Sequence, residues 1–257
     1  MANEPDGSRP LLQVRDLHKH FGAVKATDGV NIELRQGELH ALIGPNGAGK
    51  STLITQLCGE LRPDSGTIML AGEEVTALTA TARARKGLSR SFQITELCAD
   101  YTALENVMLS LLLVTGRAFG WWSDPRKDAD LNTKAKQWLD EVGLGARIDV
   151  RVANMAHGEK RQLELAVALA RAPRLLLLDE PMAGMGAEES ARMTTLLQGL
   201  KRRYTILLVE HDMDAVFALA DRITVLVYGK TVFTGTADEV RNHPDVRAAY
   251  LGEEETC

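Results

Sequence analysis

A glycine-rich segment of eight residues, Gly44–Ser51, restricts the fold of this chain more than any other stretch of its sequence. It reads GPNGAGKS and matches the pattern G-x-x-x-x-G-K-[ST]. The run Glu38–Ile43 before it predicts a buried strand, and the residues from Lys50 to Leu61 predict a helix that ends before Pro63. This context predicts a phosphate-binding loop, because N–H groups of such a turn can surround phosphate oxygens without interference from Cβ atoms.

Each part of the loop has a predicted chemical task. Lys50 places its charge on the β- and γ-phosphates of a nucleotide, and Ser51 offers its hydroxyl to Mg²⁺. The start of the following helix adds a partial positive charge. A glycine turn without a ligand is the alternative, and it does not explain eight matching positions in this context. The residues predicted to contact ATP are Gly44, Pro45, Asn46, Gly47, Ala48, Gly49, Lys50, Ser51 and Thr52.

Two acidic residues, Asp179 and Glu180, follow the four leucines Leu175–Leu178. The leucines predict a buried strand, so the two acids lie at its end. Asp179 is predicted to support the Mg²⁺ shell, and Glu180 to polarise the water that attacks the γ-phosphate. The alternative is a pair of solvated acids at a strand end. The Lys50 loop in the same chain favours the functional interpretation.

Strand patterns lie in the first and last parts of the chain, with a helical stretch between them. The predicted strands are Leu11–Leu17, Gly29–Leu34, Glu38–Ile43, Gly66–Leu70, Leu175–Leu178, Thr205–Val209, Ile223–Val227 and Thr231–Phe233. The predicted helices are Lys50–Leu61, Leu104–Val114, Asp128–Val142, Glu159–Arg171, Glu188–Arg203, Met213–Leu219, Ala237–Asn242 and Asp245–Leu251. We assign residues 1–10 to a disordered tail, 11–94 and 172–257 to a nucleotide-binding core, and 95–171 to an inserted helical lobe. Alternating strands and helices in the second half predict a largely parallel sheet with covered faces.

Composition and charge argue against several classes of protein. The chain has 257 residues, of which 45% are hydrophobic, and a formal net charge of −5. Nucleic-acid-binding domains are more often basic, so we expect no nucleic-acid partner. The apolar run Leu109–Val114 is far shorter than the ~20 residues that span a bilayer. Three scattered cysteines, and an N-terminus without a basic start or an apolar core, predict a soluble cytoplasmic protein that reaches a membrane only by docking onto partners.

Four further motifs occur in order around the loop and the acidic pair. They are Phe21, the glutamine of Ser91-Phe92-Gln93, the segment Met155-Ala156-His157-Gly158-Glu159 and the histidine of Glu210-His211-Asp212. Taken singly, Phe21 would more often be a core residue and His211 a structural histidine. Through their joint order and spacing, the chain from about residue 10 to 252 resembles the ABC-transporter ATPase family.

The resemblance implies a fold and a role for each motif. The fold is α/β: a P-loop ATPase core with a mixed or parallel sheet, an N-terminal antiparallel β region and a helical lobe that carries the signature. Phe21 stacks on adenine, Gln93 touches Mg²⁺ and a membrane partner, and His211 contacts the γ-phosphate. The implied catalytic residues are Glu180, His211 and Gln93. The implied metal ligands are Ser51, Gln93 and Asp179. Across an ATPase dimer, the implied nucleotide contacts are Ala156, His157, Gly158 and Glu159.

The chain departs from the family pattern at two places. The signature usually reads L-S-G-G-Q, but Ala156 replaces the serine and His157 the first glycine. The serine hydroxyl bonds the γ-phosphate of ATP held by the opposite subunit, so its loss weakens one composite site by roughly 1.5–3 kcal/mol. Family members often have S-A-L-D after the acidic pair, whereas Gly186 here has no carboxylate to bridge across the dimer.

In these departures and in its tail, Asn242–Gly252, the chain resembles the first ATPase subunit of importers for branched-chain amino acids, urea or amides. The resemblance implies two membrane permease subunits, a second ATPase subunit and, indirectly, a periplasmic substrate-binding protein. A heterodimer of different ATPases is expected, and a homodimer stays open. The expected location is the cytoplasmic face of the inner membrane, as a peripheral subunit.

Three alternatives remain at this point. One is a nucleotide-gated subunit with weak hydrolysis, which the altered signature favours and the intact Lys50, Glu180 and His211 disfavour. Another is the ATPase of a lipid or lipopolysaccharide exporter, from which only the tail and signature differ. The third is a relative in DNA repair or translation, but such proteins usually carry two fused ATPase domains or a long coiled coil.

Overall fold

The structure of the protein, a computed structural model, describes residues 10–91, 97–115 and 127–250. Its strands, numbered in chain order, are β1 (Pro10–Phe21), β2 (Val24–Arg35), β3 (Leu39–Ile43), β4 (Ser65–Leu70), β5 (Glu73–Glu74), β6 (Leu88–Ser91), β7 (Leu175–Asp179), β8 (Thr205–Val209), β9 (Arg222–Val227) and β10 (Lys230–Gly235). Its helices are α1 (Lys50–Cys58), α2 (Ala80–Arg85), α3 (Ala103–Thr115), α4 (Ala129–Glu141), α5 (His157–Leu169), α6 (Ala187–Leu200), α7 (Met213–Leu219), α8 (Ala237–Asn242) and α9 (Pro244–Tyr250).

The first sheet is antiparallel and has the strand order β2-β1-β4-β5. On β1, Leu12 and Val14 are buried while Gln13 between them is only half-buried, as the side-chain period of two requires. A shift in the pairing register between Val14 and Leu17 then returns Leu17 to the core. The N-terminal antiparallel β region is therefore confirmed.

The second sheet has the order β10-β9-β3-β8-β7-β6. All its pairs are parallel except β9–β10, which is an antiparallel hairpin at one edge. The strands β3 and β8 are buried along their whole length, which is why they appear in the sequence as continuous apolar runs. The mixed, largely parallel sheet of the predicted α/β fold is confirmed.

The four leucines of β7 pack into two different hydrophobic cores, one on each face of the sheet. Leu176 and Leu178 pack with residues of the helices α3, α4 and α5, among them Val107 on α3. Leu175 and Leu177 face the opposite side of the sheet, where α1 and the antiparallel sheet close a second core. Because β7 is covered on both faces, its end is held rigidly, and the acidic pair follows at that end.

The described residues between β6 and β7 form α3, α4, α5 and the segments that join them, as expected for an inserted helical lobe. The three helices pack on one another. The boundaries proposed for this lobe, 95–171, stay a prediction. Within the described ranges, no helix combines the length and apolar character that crossing a bilayer requires.

Several element boundaries differ from the predicted ones. Helix α1 ends at Cys58 rather than Leu61, because Gly59 adopts a left-handed conformation with φ of 81° and its N–H bonds back to the carbonyl of Gln56. Pro10, assigned above to the tail, begins β1. The short elements α2, β5 and β6 were not predicted.

Candidate active site

The loop between β3 and α1 depends on two glycines that allow close backbone approach. A Cβ atom on Gly44 would lie 2.1 Å from the carbonyl oxygen of Leu226, and one on Gly49 would lie 2.1 Å from that of Ala26. Gly49 also has φ of 101°, which glycine adopts without strain. Both positions therefore require glycine, in agreement with the sequence motif.

The loop leads directly into an uncapped helix start. The N–H of Leu53 donates to the carbonyl of Gly49 at 2.9 Å, and no side chain caps the first turn of α1. The N–H groups that precede Leu53 have no partner within the helix, and they carry the positive end of its dipole. Such a helix start suits an anionic ligand, which is the chemistry predicted for the segment.

Lys50 lies at this helix start and folds back over the loop. Its Nζ donates to the carbonyl of Gly44 at 2.6 Å and to that of Pro45 at 3.1 Å. Burial lowers the pKa of Lys50, while the negative charges of Glu180 and Asp179 act in the opposite direction. Lys50 and the two acids predicted to act with it therefore lie within electrostatic reach of one another.

Sheet topology explains how residues distant in sequence reach this place. The adjacent strands β3, β8 and β7 are parallel, so their carboxyl ends lie at one edge of the sheet. Gly44 follows β3, Glu210 and His211 follow β8, and Glu180 follows β7. Ligands of open α/β sheets bind at this edge. Gln93 follows β6, but it lies outside the described residues, so its predicted position beside them stays a prediction.

Asp179 is held by an arginine that the sequence analysis did not single out as a site residue. Arg90 Nη2 lies 3.0 Å from Asp179 Oδ2, and Arg90 Nη1 lies 2.9 Å from Glu60 Oε2. The Arg90 side chain is 5% exposed and that of Asp179 is 10% exposed. Arg90 is the last residue but one of β6, a strand that was not predicted, so its proximity to Asp179 had no signal in the sequence.

Glu180 has an unusual backbone conformation. Its φ is 51°, in the left-handed region that non-glycine residues rarely occupy, and its N–H donates to the carbonyl of Val209 at 2.8 Å. Its side chain is exposed at the sheet edge. A strained backbone of this kind often marks a functional site, and it agrees with the catalytic role predicted for Glu180.

Glu210 joins the two segments that carry Glu180 and His211, and it is a further residue without a predicted role. It is 1% exposed, and its Oε1 accepts from the N–H of Met182 at 3.0 Å. Its Oε2 accepts from the N–H of His211 at 3.1 Å, and His211 Nδ1 lies 3.7 Å from the same oxygen. An acid directly after the buried strand β8, as at the end of β7, was the available signal. Glu210 thus fixes His211, whose side chain is 66% exposed, beside the segment that follows Glu180.

The signature segment lies at the start of α5 and packs against the start of α6. His157 Nε2 lies 3.2 Å from the carbonyl oxygen of Ala183, in the segment after the acidic pair. A Cβ atom on Gly158 would lie 2.7 Å from Glu189 Oε1, so this glycine permits the approach of the two helix starts. Ala156 and His157 are exposed, as a surface that meets a second subunit requires.

Glu159 has a structural role within its own chain. Its Oε2 accepts from the N–H of Ala156 at 2.9 Å, and its Oε1 lies 2.8 Å from Arg147 Nε. Burial raises the pKa of Glu159, but the hydrogen bonds from Ala156 and Arg147 outweigh this effect and bring it below its usual value. The contact of Glu159 with ATP across a dimer stays a prediction.

Phe21 ends β1 at the tip of the β1–β2 hairpin and is 52% exposed. Further along the hairpin, the backbone of Ala26 in β2 contacts Gly49 of the phosphate loop. An exposed ring on a hairpin that borders the loop fits the predicted stacking on adenine, which stays a prediction.

The residues at this edge fit a nucleotide and its magnesium ion. The glycine-dependent loop, the uncapped helix start and Lys50 match the charge of a polyphosphate. Ser51 on the first turn of α1 and the carboxylate of Asp179 are oxygen ligands of the type that Mg²⁺ prefers.

Comparison with known proteins agrees with this chemistry. Residues 27–183 match the model of the family described as ABC transporter, and residues 230–256 match that of the branched-chain amino acid ATP-binding cassette transporter. The chain is 39% identical to the high-affinity branched-chain amino acid transport ATP-binding protein LivG of Salmonella typhimurium, over 96% of this chain and 99% of that protein. It is 38% identical to the high-affinity branched-chain amino acid transport ATP-binding protein BraF of Pseudomonas aeruginosa, over 96% of this chain and 99% of that protein.

A solved structure extends the comparison to the fold. The ADP conformation of MJ1267, an ATP-binding cassette of an ABC transporter, matches with a TM-score of 0.83 and 26% identity, over 95% of this chain and all of that one. The predicted α/β ATPase fold is confirmed. From its site geometry, its sequence relatives and its fold, the chain is an ATP-binding cassette, the ATPase component of a transporter, and it belongs to the ABC transporter family.

Proposed function

We propose that this ATPase drives the import of branched-chain amino acids, or closely related amino acids or amides, through partner membrane subunits. The observation that carries the proposal is the match of the C-terminal residues 230–256 to the branched-chain amino acid cassette model. The glycine-dependent loop and the position of Lys50 support ATP binding by the same chain. Relatives named for this transport cover nearly the whole chain, which supports the same assignment.

The chain's own residues would divide the work at the ATP site. The loop N–H groups and Lys50 bind the β- and γ-phosphates, and Phe21 supports the adenine. Glu180 would orient and polarise the attacking water, and His211, whose backbone N–H is held by Glu210, would contact the γ-phosphate. Ser51, Asp179 and Gln93 would hold Mg²⁺, which neutralises charge on the phosphates when bound.

A second ATPase subunit would complete the site. The signature segment at the start of α5 would contact ATP that is held by the loop of the opposite subunit. Ala156 removes the serine hydroxyl from this contact, which leaves N–H groups at the helix start and the His157 ring. The half-site that this chain provides to its partner is thus weaker than the one it keeps at Lys50. We infer a heterodimer with two unequal sites, peripheral to the cytoplasmic face of the membrane.

Transport in a reconstituted system tests the proposal. The chain is combined in proteoliposomes with its proposed partners, two permeases, a second ATPase and a substrate-binding protein, and ATP turnover and uptake are measured with labelled leucine, isoleucine and valine. We expect turnover that rises with these amino acids and uptake that depends on ATP. Stimulation by a lipid with outward transport, or turnover that no amino acid or amide changes, would refute it.

A further inference from the structure

A cluster of two histidines and two aspartates lies on the β1–β2 hairpin, outside the ATP site. His18 and Asp28 are directly opposite each other in the strand pairing, and His20 follows His18 by two residues, on the same side of β1. One ligand atom from each of His18, His20 and Asp28 lies within 4.8 Å of the other two. Asp16 contacts the far side of the His18 ring.

We propose that this cluster, His18, His20 and Asp28 supported by Asp16, binds a divalent transition-metal ion such as Zn²⁺. Imidazole nitrogens and a carboxylate are the ligands that Zn²⁺ takes in proteins, and a water would complete four-coordination. Mg²⁺ prefers oxygen ligands alone, so this site is chemically distinct from the one at Ser51 and Asp179.

The main argument rests on the partners of the two ring nitrogens of His18. His18 Nε2 lies 3.0 Å from Asp16 Oδ1, and Nδ1 lies 3.4 Å from Asp28 Oδ1. A neutral ring has one N–H, so if Nε2 donates to Asp16, the Nδ1 lone pair faces the oxygen of Asp28. Two ligands of a tetrahedral Zn²⁺ with bonds of 2.0–2.1 Å are about 3.4 Å apart, so an ion fits between these atoms.

Asp16 stands where a metal site needs an outer carboxylate. Histidines that bind metals almost always donate their other ring N–H to a carboxylate, carbonyl or water, which fixes the tautomer and raises the basicity of the ligating nitrogen. The Asp16–His18 hydrogen bond leaves Nδ1 as the ligating atom, on the side of Asp28.

The two oxygens of Asp28 have different surroundings. Oδ2 lies 3.3 Å from Lys25 Nζ and 3.4 Å from Lys230 Nζ, whereas Oδ1 faces His18. The lysines therefore bind one oxygen and leave the other directed at the imidazole. Their positive charges also limit the affinity, which we expect in the micromolar range.

The site is linked to the ATP-binding loop through the backbone. The N–H of Asp28 donates to the carbonyl of Gly229 at 2.8 Å, and the N–H of Gly229 donates to the carbonyl of Ala48 in the loop at 2.9 Å. Phe21 is the residue after His20. An ion that ties β1 to β2 here would stiffen the hairpin that carries Phe21.

Calorimetric titration of the full-length chain, without an affinity tag or nucleotide, tests the proposal with Zn²⁺ as the probe. We expect saturation at one ion per chain. His20→Ala, an exposed position that the fold tolerates, should weaken binding by at least about tenfold, and Asp16→Asn should weaken it by about tenfold through the lost outer carboxylate. His157→Ala, which removes an exposed histidine elsewhere, is the matched control and should leave the affinity unchanged.

Co²⁺ in place of Zn²⁺ provides a second readout that separates this site from the cysteines. The spectrum should show tetrahedral cobalt without a thiolate charge-transfer band, and His20→Ala should abolish it. The proposal is overturned if the unaltered chain binds no Zn²⁺, if His20→Ala and Asp16→Asn both bind it with unchanged affinity, or if a thiolate band accounts for the bound Co²⁺. His18 would then be an ion-pair bridge between the two aspartates.

Discussion

Among single residues, Asp179, the predicted Mg²⁺ ligand at the end of β7, is fixed in direction by its neighbour Arg90. Arg90 bridges Asp179 and Glu60 with two ion pairs, and all three side chains are mostly buried. A guanidinium at this distance pairs with the carboxylate and fixes its direction. Since Arg90 is two residues after Leu88 in the edge strand β6, it also connects Asp179 to the segment that leads to Gln93.

Arg90→Met should weaken the use of Mg²⁺ more than the binding of ATP. The substitution keeps much of the side-chain volume and removes both ion pairs. We expect the Mg²⁺ concentration for half-maximal ATP turnover to rise on the order of tenfold, as for loss of an outer-shell partner of a metal ligand. The affinity for ATP without Mg²⁺ should stay unchanged. An equal loss of both would show that Arg90 only supports the fold.

Among the elements, helix α5 has a first turn that fixes the start of the helix and carries the predicted signature residues. Ala156 at the N-cap has no side-chain acceptor, and Glu159 three residues later accepts from the Ala156 N–H instead. The carboxylate also favours the positive end of the helix dipole and pairs with Arg147. The signature segment is thus held in place by a charge that can be titrated.

Glu159→Gln should destabilise the chain in a pH-dependent manner. The amide can still accept from Ala156, so the variant loses only the charge, at a cost below about 1 kcal/mol at neutral pH. The folded pKa of Glu159 is lowered from 4.5, so its contribution is complete above the unfolded pKa and disappears as the pH falls through the folded value. Denaturant unfolding of both proteins across this range measures the difference. If the difference in the free energy of unfolding between the two proteins does not shrink at acid pH, the charge of Glu159 does not stabilise the start of α5.

Elements marked by a continuous apolar run or by bounding signals were predictable from sequence, and elements that depend on tertiary contacts were not. The buried runs of β3, β7 and β8 and the helix α7 appear as predicted, because each has a continuous apolar run or bounding signals. The helix α2 was not predicted because contacts with another part of the fold, the end of α1, hold it in place. Its Arg83 is 1% exposed and donates to the carbonyls of Gln56 and Leu57 at the end of α1, both at 2.7 Å.

The residues of the candidate site likewise divide into those that a local motif predicted and those that it did not. Lys50, Asp179, Glu180 and His211 were predicted because each belongs to a local motif beside a strand end. Arg90 was not, because its role depends on which strands become neighbours in the sheet. Glu210 was not singled out either, although an acid directly after a buried strand was its available signal. Strand order is a property of the whole fold, and no local pattern in the chain encodes it.

At the scale of the whole molecule, the fold gathers the ATP-binding residues at one sheet edge and presents the signature segment on a different helix. In the proposed heterodimer, one chain would therefore contribute two half-sites, each joined to its complement on the partner. The predicted half-site at Lys50 has all the residue types of its motif, whereas the predicted half-site at Ala156 lacks a hydroxyl.

Ala156→Ser should strengthen the weaker half-site. A serine at the N-cap of α5 adds a cap that stabilises the isolated chain by about 1 kcal/mol. In the assembled heterodimer, the same hydroxyl should raise the affinity of one site for ATP by roughly tenfold or more, as expected for a hydrogen bond to a charged group. Unfolding of the isolated chain and equilibrium ATP binding to the heterodimer measure the two effects separately. A gain in stability without a gain in affinity would contradict the predicted contact across the dimer.

The most direct test of the central claim compares ATP binding and hydrolysis in the Glu180→Gln variant. The amide keeps the shape of the side chain but cannot polarise the attacking water. With the transporter partners present, we predict an unchanged ATP affinity at the Lys50 site and single-turnover hydrolysis there that falls by at least about 100-fold. Hydrolysis at the unaltered rate would contradict the catalytic role of Glu180 and with it the account of this site.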